Sequence, residues 1–214
     1  MQVRVLSPTP RVKYSMKQYY GSCGVVKNFF TPEELVSVIK IFKKVNPTEG
    51  FANNGYHGID QRHLAYLWFR KTLIDRIAAE FDPAMKLIFG VFLDCYVPLH
   101  IHNDIKPIAD PAGKHYLSFL IPYSVDNQTD KCSFASTLIF DQSPNGDNNV
   151  SYLHANKLSH VSLEDTYQYS LKQDLIWNCG DLLWWDSKLY HTSSNFLANG
   201  CDSKQGIVIH TYVV

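Results

Sequence analysis

An excess of charge of either sign is missing from this chain. Its 214 residues carry 20 Lys plus Arg against 20 Asp plus Glu, a formal net charge of zero with histidine neutral. A general nucleic-acid or anionic-membrane binder shows a basic excess, so neither partner is expected. Charged residues make up only 19% while aromatics reach 14%, which excludes a disordered chain. No apolar run of about 18 residues occurs, so no membrane span is expected. The stretch Met1–Pro10 has no apolar core of signal-peptide length. No Cys-x-x-Cys occurs, and the cysteines, Cys23, Cys95, Cys132, Cys179 and Cys201, are odd in number. A disulfide framework is therefore not expected, and a reducing, cytoplasmic setting is. A phosphate-binding glycine loop and a Ser-His-Asp elbow are also absent.

What is present is 45% hydrophobic sequence, enough for one domain of this length to bury a core without staples. Thr31-Pro32-Glu33-Glu34 reads as a helix start, followed by Leu35, Val38, Ile39 and Phe42 at helical spacing. Asn46-Pro47 ends that helix, residues 48–60 read as loop, and a second helix is expected from Gln61 to Phe81. From Lys86 the composition turns strand-like. The expected strands are Lys86–Ile101, Tyr116–Tyr123, Ser136–Phe140, Asp174–Trp177, Asp181–Trp185 and Gly206–Val214. Helices first and strands after suggest one domain over 1–214, with helical support in 1–84 packed on a mainly β core in 85–214. Residues 142–172 break the strand rhythm and read as an irregular insertion bordering the site.

The densest chemistry is His100-Ile101-His102-Asn103-Asp104. On a strand, residues two apart share a face, so His102 and Asp104 converge. By the same alternation Val91, Leu93, Cys95, Val97, Leu99 and Ile101 form an apolar face toward the helices, with Tyr96 and His100 on the polar side. A third ligand is offered by His191, which ends the segment Gly180-Asp181-Leu182-Leu183-Trp184-Trp185 and its short polar connection. Two histidines and one carboxylate leave half an octahedron open, the ligand set of non-haem Fe(II) oxygenases. A cupin-type pairing through His100 and His102 is the alternative, although the glutamate that pattern wants is replaced by Asn103, Asp104, Ile105 and Lys106. His100 then falls to a buried or supporting role. Trp184 and Trp185 read as core, with alternation leaving one of the two free to line the pocket, Asp181 as the residue that fixes its turn, and His154, His160 and His210 as ordinary.

These residues resemble the 2-oxoglutarate- and Fe(II)-dependent oxygenases, in the prolyl-hydroxylase-like or phytanoyl-CoA-hydroxylase-like branches. The matching parts are His102-Asn103-Asp104, Gly180-Asp181 through His191, Lys204 beyond it, and the opening Gly24 to Leu35 with its Glu-Glu-Leu helix. The resemblance implies a double-stranded β-helix, a jelly-roll relative. It implies Fe(II) held by His102, Asp104 and His191, with 2-oxoglutarate and O2 as cosubstrates. It implies hydroxylation of a small molecule or peptide with release of succinate and CO2. Lys204 stands where the family commonly has Arg and is expected to pair with the far carboxylate of 2-oxoglutarate. Lys114 on an earlier strand is the alternative, and Tyr116 and Ser118 are expected to hydrogen-bond the cosubstrate. The Ser or Thr usually found two residues after the basic position is Gly206 here.

Overall fold

The computed structural model describes residues 19, 21–42, 49–51, 54–58, 73–104, 114–125, 135–141 and 150–213. Strand β1 (Cys23–Val26) leads into helix α1 (Pro32–Phe42). The helix begins with the reciprocal cap its sequence promised: Thr31 N–H donates to Glu34 Oε2 at 2.8 Å, and Glu34 N–H donates to Thr31 Oγ1 at 3.3 Å. Residues 48–60, expected to be loop, instead contain strands β2 (Glu49–Phe51) and β3 (Asn54–Gly58). Their Gly-rich sequence carries no alternating pattern. They are held by backbone pairing, with Gly50 opposite Gly55 and β3 laid along β4 (Lys86–Cys95). Of the second expected helix the described part is α2 (Asp75–Glu80), and residues 61–72 lie outside the described residues.

The β half follows as β5 (His115–Val125), β6 (Ser136–Asp141), helices α3 (Val150–Lys157) and α4 (Leu163–Tyr167), then β7 (Ser170–Ile176), β8 (Leu182–Asp186), β9 (Tyr190–Ser193) and β10 (Lys204–Val213). The strands form two antiparallel sheets. One runs β1-β8-β5-β10-β4-β3-β2 and the other β7-β6-β9. From β4 onward the chain passes between them. His102 bridges β9 of the small sheet, β5 returns to the large one, β6 and β7 belong to the small one, β8 to the large, β9 to the small and β10 to the large.

The large sheet has two apolar faces. One packs Phe92, Leu117, Phe119, Ile121 and Ile207 against Val38, Leu73 and Ile77 of the helical half. The other packs Leu93, Leu120, Leu183 and Trp185 against Ile139, Leu175 and Trp177 of the small sheet. Fully buried rings such as Phe92 and Phe119 each contribute about 1.5–3 kcal/mol. Gly180 joins the halves: its N–H donates to the Pro122 carbonyl and its carbonyl accepts from Phe30 N–H. Its φ is +92°, and a Cβ there would stand 2.8 Å from the Phe30 carbonyl oxygen. Only glycine meets both conditions.

Two expectations are corrected. The strand from Lys86 stops at Cys95, where its β10 partner begins at Lys204, and Pro98 three residues on cannot donate to a ladder. Alternation does not run through the bend at 96–101, so the faces are the reverse of those expected. The even residue Phe92 lies with the helices and the odd Val91 and Leu93 line the cavity. Residues 142–172 are not irregular throughout. From Val150 on they form α3, a turn, α4 and the start of β7, with Leu153 of α3 and Leu158 and Val161 of the turn buried on Leu138 and Phe140 of β6. Residues 142–149 lie outside the described residues.

Candidate metal centre

His102 sits just past the bend, paired to the small sheet by two backbone bonds: its N–H donates to the His191 carbonyl at 3.0 Å and its own carbonyl accepts from His191 N–H at 2.8 Å. This bridge places the two imidazoles side by side, with ring centroids 4.3 Å apart. Asp104 N–H then donates to the Ser187 carbonyl, which ties the carboxylate to the turn after β8. One ligand atom each from His102, Asp104 and His191 lies within 4.8 Å of the others. His191 Nε2 is 3.5 Å from Asp104 Oδ1.

The surroundings fix which atom of each residue faces inward. His102 Nδ1 lies 2.7 Å from the His100 carbonyl and His191 Nδ1 lies 3.3 Å from the Leu189 carbonyl. A carbonyl only accepts, so both Nδ1 atoms carry hydrogen and both Nε2 lone pairs are free. Asp104 Oδ2 takes hydrogen bonds from Ser118 Oγ at 2.6 Å and Trp185 Nε1 at 3.1 Å, leaving Oδ1 toward the histidines. Ser118 has one proton, given to Asp104, so Ser187 Oγ at 2.8 Å and His210 Nδ1 at 3.1 Å donate to it in turn. Burial alone would raise the Asp104 pKa, but the His191 and His210 imidazoles, the Ser118 hydroxyl and His102 together bring it down to about 2. Burial pushes His191 down to about 4 against the pull of Asp104. An ionised carboxylate and a neutral imidazole are the states a divalent metal needs.

Beside this cluster, between the two sheets, lies a cavity of about 540 Å³, within the roughly 300–1,000 Å³ range of small-molecule sites. Phe89, Val91 and Leu93 of β4, Leu120 of β5, and Val208 and His210 of β10 form one wall. Thr137, Trp177, Thr192 and Ser193 form the other.

The remaining expected residues fall in three places. Lys204 is fully buried, its Nζ 3.9 Å from the centroid of the Trp177 ring and 5.2 Å from that of Phe196, donating to the Ser136 carbonyl at 3.3 Å. Trp177 lines the cavity and Lys204 does not. Among the described residues no carboxylate is within ion-pair reach of it, and burial lowers its pKa to about 8. Ser118 engages Asp104, while the Tyr116 ring lies 6.4 Å from that of Tyr212. Lys114 is set over the Tyr212 ring at 4.2 Å. Gly206 lies on β10 where a Cβ would stand 3.0 Å from Leu120 Cδ1 and 3.2 Å from the Ile121 carbonyl, so the space for a Ser or Thr is taken by β5.

His100 is not buried: its side chain is exposed, and it supports His102 through its backbone carbonyl. Asp181 fixes its turn as expected, accepting from Asn28 N–H, Lys27 Nζ and Asn178 Nδ2. Trp184 packs on Tyr19 and Phe81 in the helical core. Two residues exceed their sequence reading. Trp185 donates to the candidate ligand carboxylate, and His210 faces the same carboxylate at 3.9 Å. The signal for His210 was its parity with Lys204, Gly206 and Val208 on the last strand, which alternation alone puts on one face.

No protein-family model and no curated protein matches the chain. Solved structures do. HygX from Streptomyces hygroscopicus, with nickel and 2-oxoglutarate bound, superposes with a TM-score of 0.61 at 17% identity, covering 94% of this chain and 87% of that one. HygX has also been solved with hygromycin B bound. The non-haem 2-oxoglutarate-dependent epimerase SnoN, from nogalamycin biosynthesis, superposes with a TM-score of 0.61 at 12% identity, covering 92% and 80%. The 2-oxoglutarate-dependent carbocyclase SnoK, from the same biosynthesis, gives 0.61 at 11%, covering 94% and 84%. The chain has the fold of the non-haem iron, 2-oxoglutarate-dependent oxygenases and carries a His-Asp-His cluster between its two sheets.

Proposed function

We propose that this protein is an Fe(II)- and 2-oxoglutarate-dependent oxygenase that hydroxylates a C–H bond of a small molecule or peptide. The observation that carries it is the cluster of His102, Asp104 and His191, whose candidate ligand atoms lie within 4.8 Å of one another while their other polar atoms are held by neighbours. The donor set fits divalent iron: two neutral imidazoles and one carboxylate oxygen, with room for further ligands from the cavity. When bound, iron with 2-oxoglutarate and O2 supplies the oxidation of a C–H bond, with succinate and CO2 released.

The chain's own residues have separate tasks. Ser118 and Trp185 hold Asp104 through one oxygen, which favours a single metal contact from the other. The carbonyls of His100 and Leu189 hold the imidazoles in one tautomer. Lys204, packed on the Trp177 ring, would be the cation for the far carboxylate of 2-oxoglutarate, because a buried charge must be paired. A lysine offers a point charge rather than a fork, so the hydroxyls of Thr137 and Ser193 on the facing sheet complete the contact. Tyr116 and Ser118 then act on the framework and on Asp104. The apolar walls exclude water.

The passage of the chain between sheets, from β4 to β10 with His102 as the second strand position, supports a double-stranded β-helix spanning the 85–214 core on its 1–84 support. The solved relatives include an epimerase and a carbocyclase, so the fold hosts more than one outcome. Hydroxylation is read from the intact carboxylate ligand, Asp104. The free thiols at Cys23, Cys95, Cys179 and Cys201 support a cytoplasmic location, and no described helix is long and apolar enough to cross a membrane.

The test is an anaerobic titration with Fe(II) and 2-oxoglutarate, followed by the weak visible charge-transfer band of the chelate. The band is expected in the wild type and not in His191→Ala. A wild type that binds Fe(II) without any band on adding 2-oxoglutarate would assign the metal site to a different, cupin-type reaction.

A further inference from the structure

We propose that the substrate is an uncharged, ring-bearing small molecule, laid on the ring of Phe89 at the rim of the cavity. The inference rests on the reading of the site as an iron and 2-oxoglutarate centre and deepens it.

The first ground is an accounting of charge. Among the described lining residues the ionisable ones are His102, Asp104, His191 and His210. The first three are committed to the metal. His210 turns its Nδ1 to Ser118 at 3.1 Å and its ring to Phe89. No Lys, Arg or Glu is among them. Lys204, packed on Trp177 and outside the lining, is assigned to the cosubstrate. A free amino acid or a carboxylated or ammonium-bearing substrate would therefore enter with a charge that nothing described in the wall can pair, and burying it unpaired is costly.

The second ground is shape. Along the sheet face the lining changes from Leu93, through Val91, Val208 and Leu120, to Phe89 and His210. Phe89 and His210 are register partners on β4 and β10, and their rings lie 4.3 Å apart at 35°. His210 is nearly buried, whereas Phe89 is 44% exposed. A large aromatic ring left that open, lining the cavity, offers a flat apolar surface, and among the described residues its one ring partner is His210. Offset stacking against a flat ring is the contact such a surface makes best.

The third ground is the neutral polar content. The amide and hydroxyl side chains that line the cavity are those of Asn103, Thr137, Thr192 and Ser193, none of which carries a charge, and a neutral polar wall suits an uncharged substrate.

The probes are three isosteres of one ring: 2-naphthylmethanol, 2-naphthoate and 2-naphthylmethylammonium. Their binding is measured by calorimetry on the protein loaded with Ni(II) and 2-oxoglutarate. The alcohol is expected to bind at least tenfold more tightly than either charged analogue. Phe89→Ala should weaken the alcohol by fivefold or more, Phe89→Tyr should restore it, and Phe89→Lys should shift the preference toward the carboxylate. Because Phe89 is half exposed, these variants leave the core intact, which a thermal melt checks. A charged analogue that binds as tightly as the alcohol overturns the inference, and so does an unchanged affinity in Phe89→Ala. The metal and cosubstrate reading is scored separately. If the charge-transfer band forms but the neutral preference is absent, only the substrate class falls. If the preference holds but no band forms, the proposed function falls and the cavity assignment stands.

Discussion

Replacing Lys204 with methionine should push two properties in opposite directions. The ammonium is fully buried, with one carbonyl and two aromatic rings around it and no described carboxylate in reach. Burial brings its pKa from 10.5 to about 8. At about 1.4 kcal/mol per pH unit, that difference is on the order of 3 kcal/mol, carried by the folded chain to keep the lysine charged. The folded pKa lies below the unfolded one. Between pH about 8 and 10.5 the unfolded chain holds the extra proton, so stability rises with pH across that window, and below it the cost is present in full. Methionine has similar reach and no charge. Its introduction also removes the attraction between the ammonium and Trp177, worth about 1–2 kcal/mol. The ligand-free variant should therefore be more stable than the wild type near neutral pH by on the order of 1–2 kcal/mol, and its stability should lose the alkaline rise. 2-Oxoglutarate should bind at least tenfold more weakly, about 1.4 kcal/mol or more, because its far carboxylate would enter without a cation. Urea unfolding near pH 7 and near pH 10 reads the first effect, and an anaerobic 2-oxoglutarate titration of the Fe(II) protein reads the second. A variant that is destabilised at neutral pH refutes the buried-charge account. A variant that binds 2-oxoglutarate normally refutes the pairing, and loss of binding in Lys114→Ala instead would move the cation to the earlier strand.

Three further outcomes follow from the metal cluster and its flank. His191→Ala should lose most Fe(II) affinity and all turnover while the fold is kept, whereas His100→Ala should bind Fe(II) nearly as the wild type does, because His100 contributes only its carbonyl to His102; calorimetry under argon distinguishes the two. Ser118→Ala removes the 2.6 Å donor from Asp104 Oδ2 and should weaken Fe(II) binding by roughly 10–100-fold, as loss of such supporting contacts does, with Trp185 left as the sole donor to that oxygen among the described residues. Limited proteolysis of the free protein should spare residues 150–169, since Leu153, Leu158 and Val161 are buried on β6; early cleavage within α3 or α4 would show that this cluster opens without ligand.

The residues of the site were easier to read than the path of the chain that assembles them. His102 and Asp104 were marked by their spacing, and His191 by the Gly-Asp segment before it, because those signals are local. The walls of the cavity depend on parity, and parity survives only while a strand is unbroken. On β5 and β10 the register shifts fall at Gln205–Gly206 and His210–Thr211, outside the run from Gly206 to His210, so Ser118, Leu120, Val208 and His210 all face where alternation puts them. On β4 the partner strand runs out at Cys95 and the chain bends before reaching His102. Counting back from the ligands across that bend assigned the wrong face to Val91 and Leu93. Counting within β4 from Phe92, a ring whose full burial belongs to the helical core, gives the right one. The hairpin of β2 and β3 was invisible for a different reason: its pairing is carried by backbone and glycine, which leave no hydrophobic period. The same logic explains why His210 escaped notice. It has no partner at ligand spacing in the sequence, and its neighbours Ser118 and Asp104 come from two other segments. Only the antiparallel register of β10 with β5, which sets His210 opposite Ser118, brings the three together. A histidine on the last strand that shares parity with the buried lysine at its start therefore belongs to the site by topology rather than by motif, and its contact with Asp104 through Ser118 makes the orientation of the metal carboxylate depend on the far end of the chain.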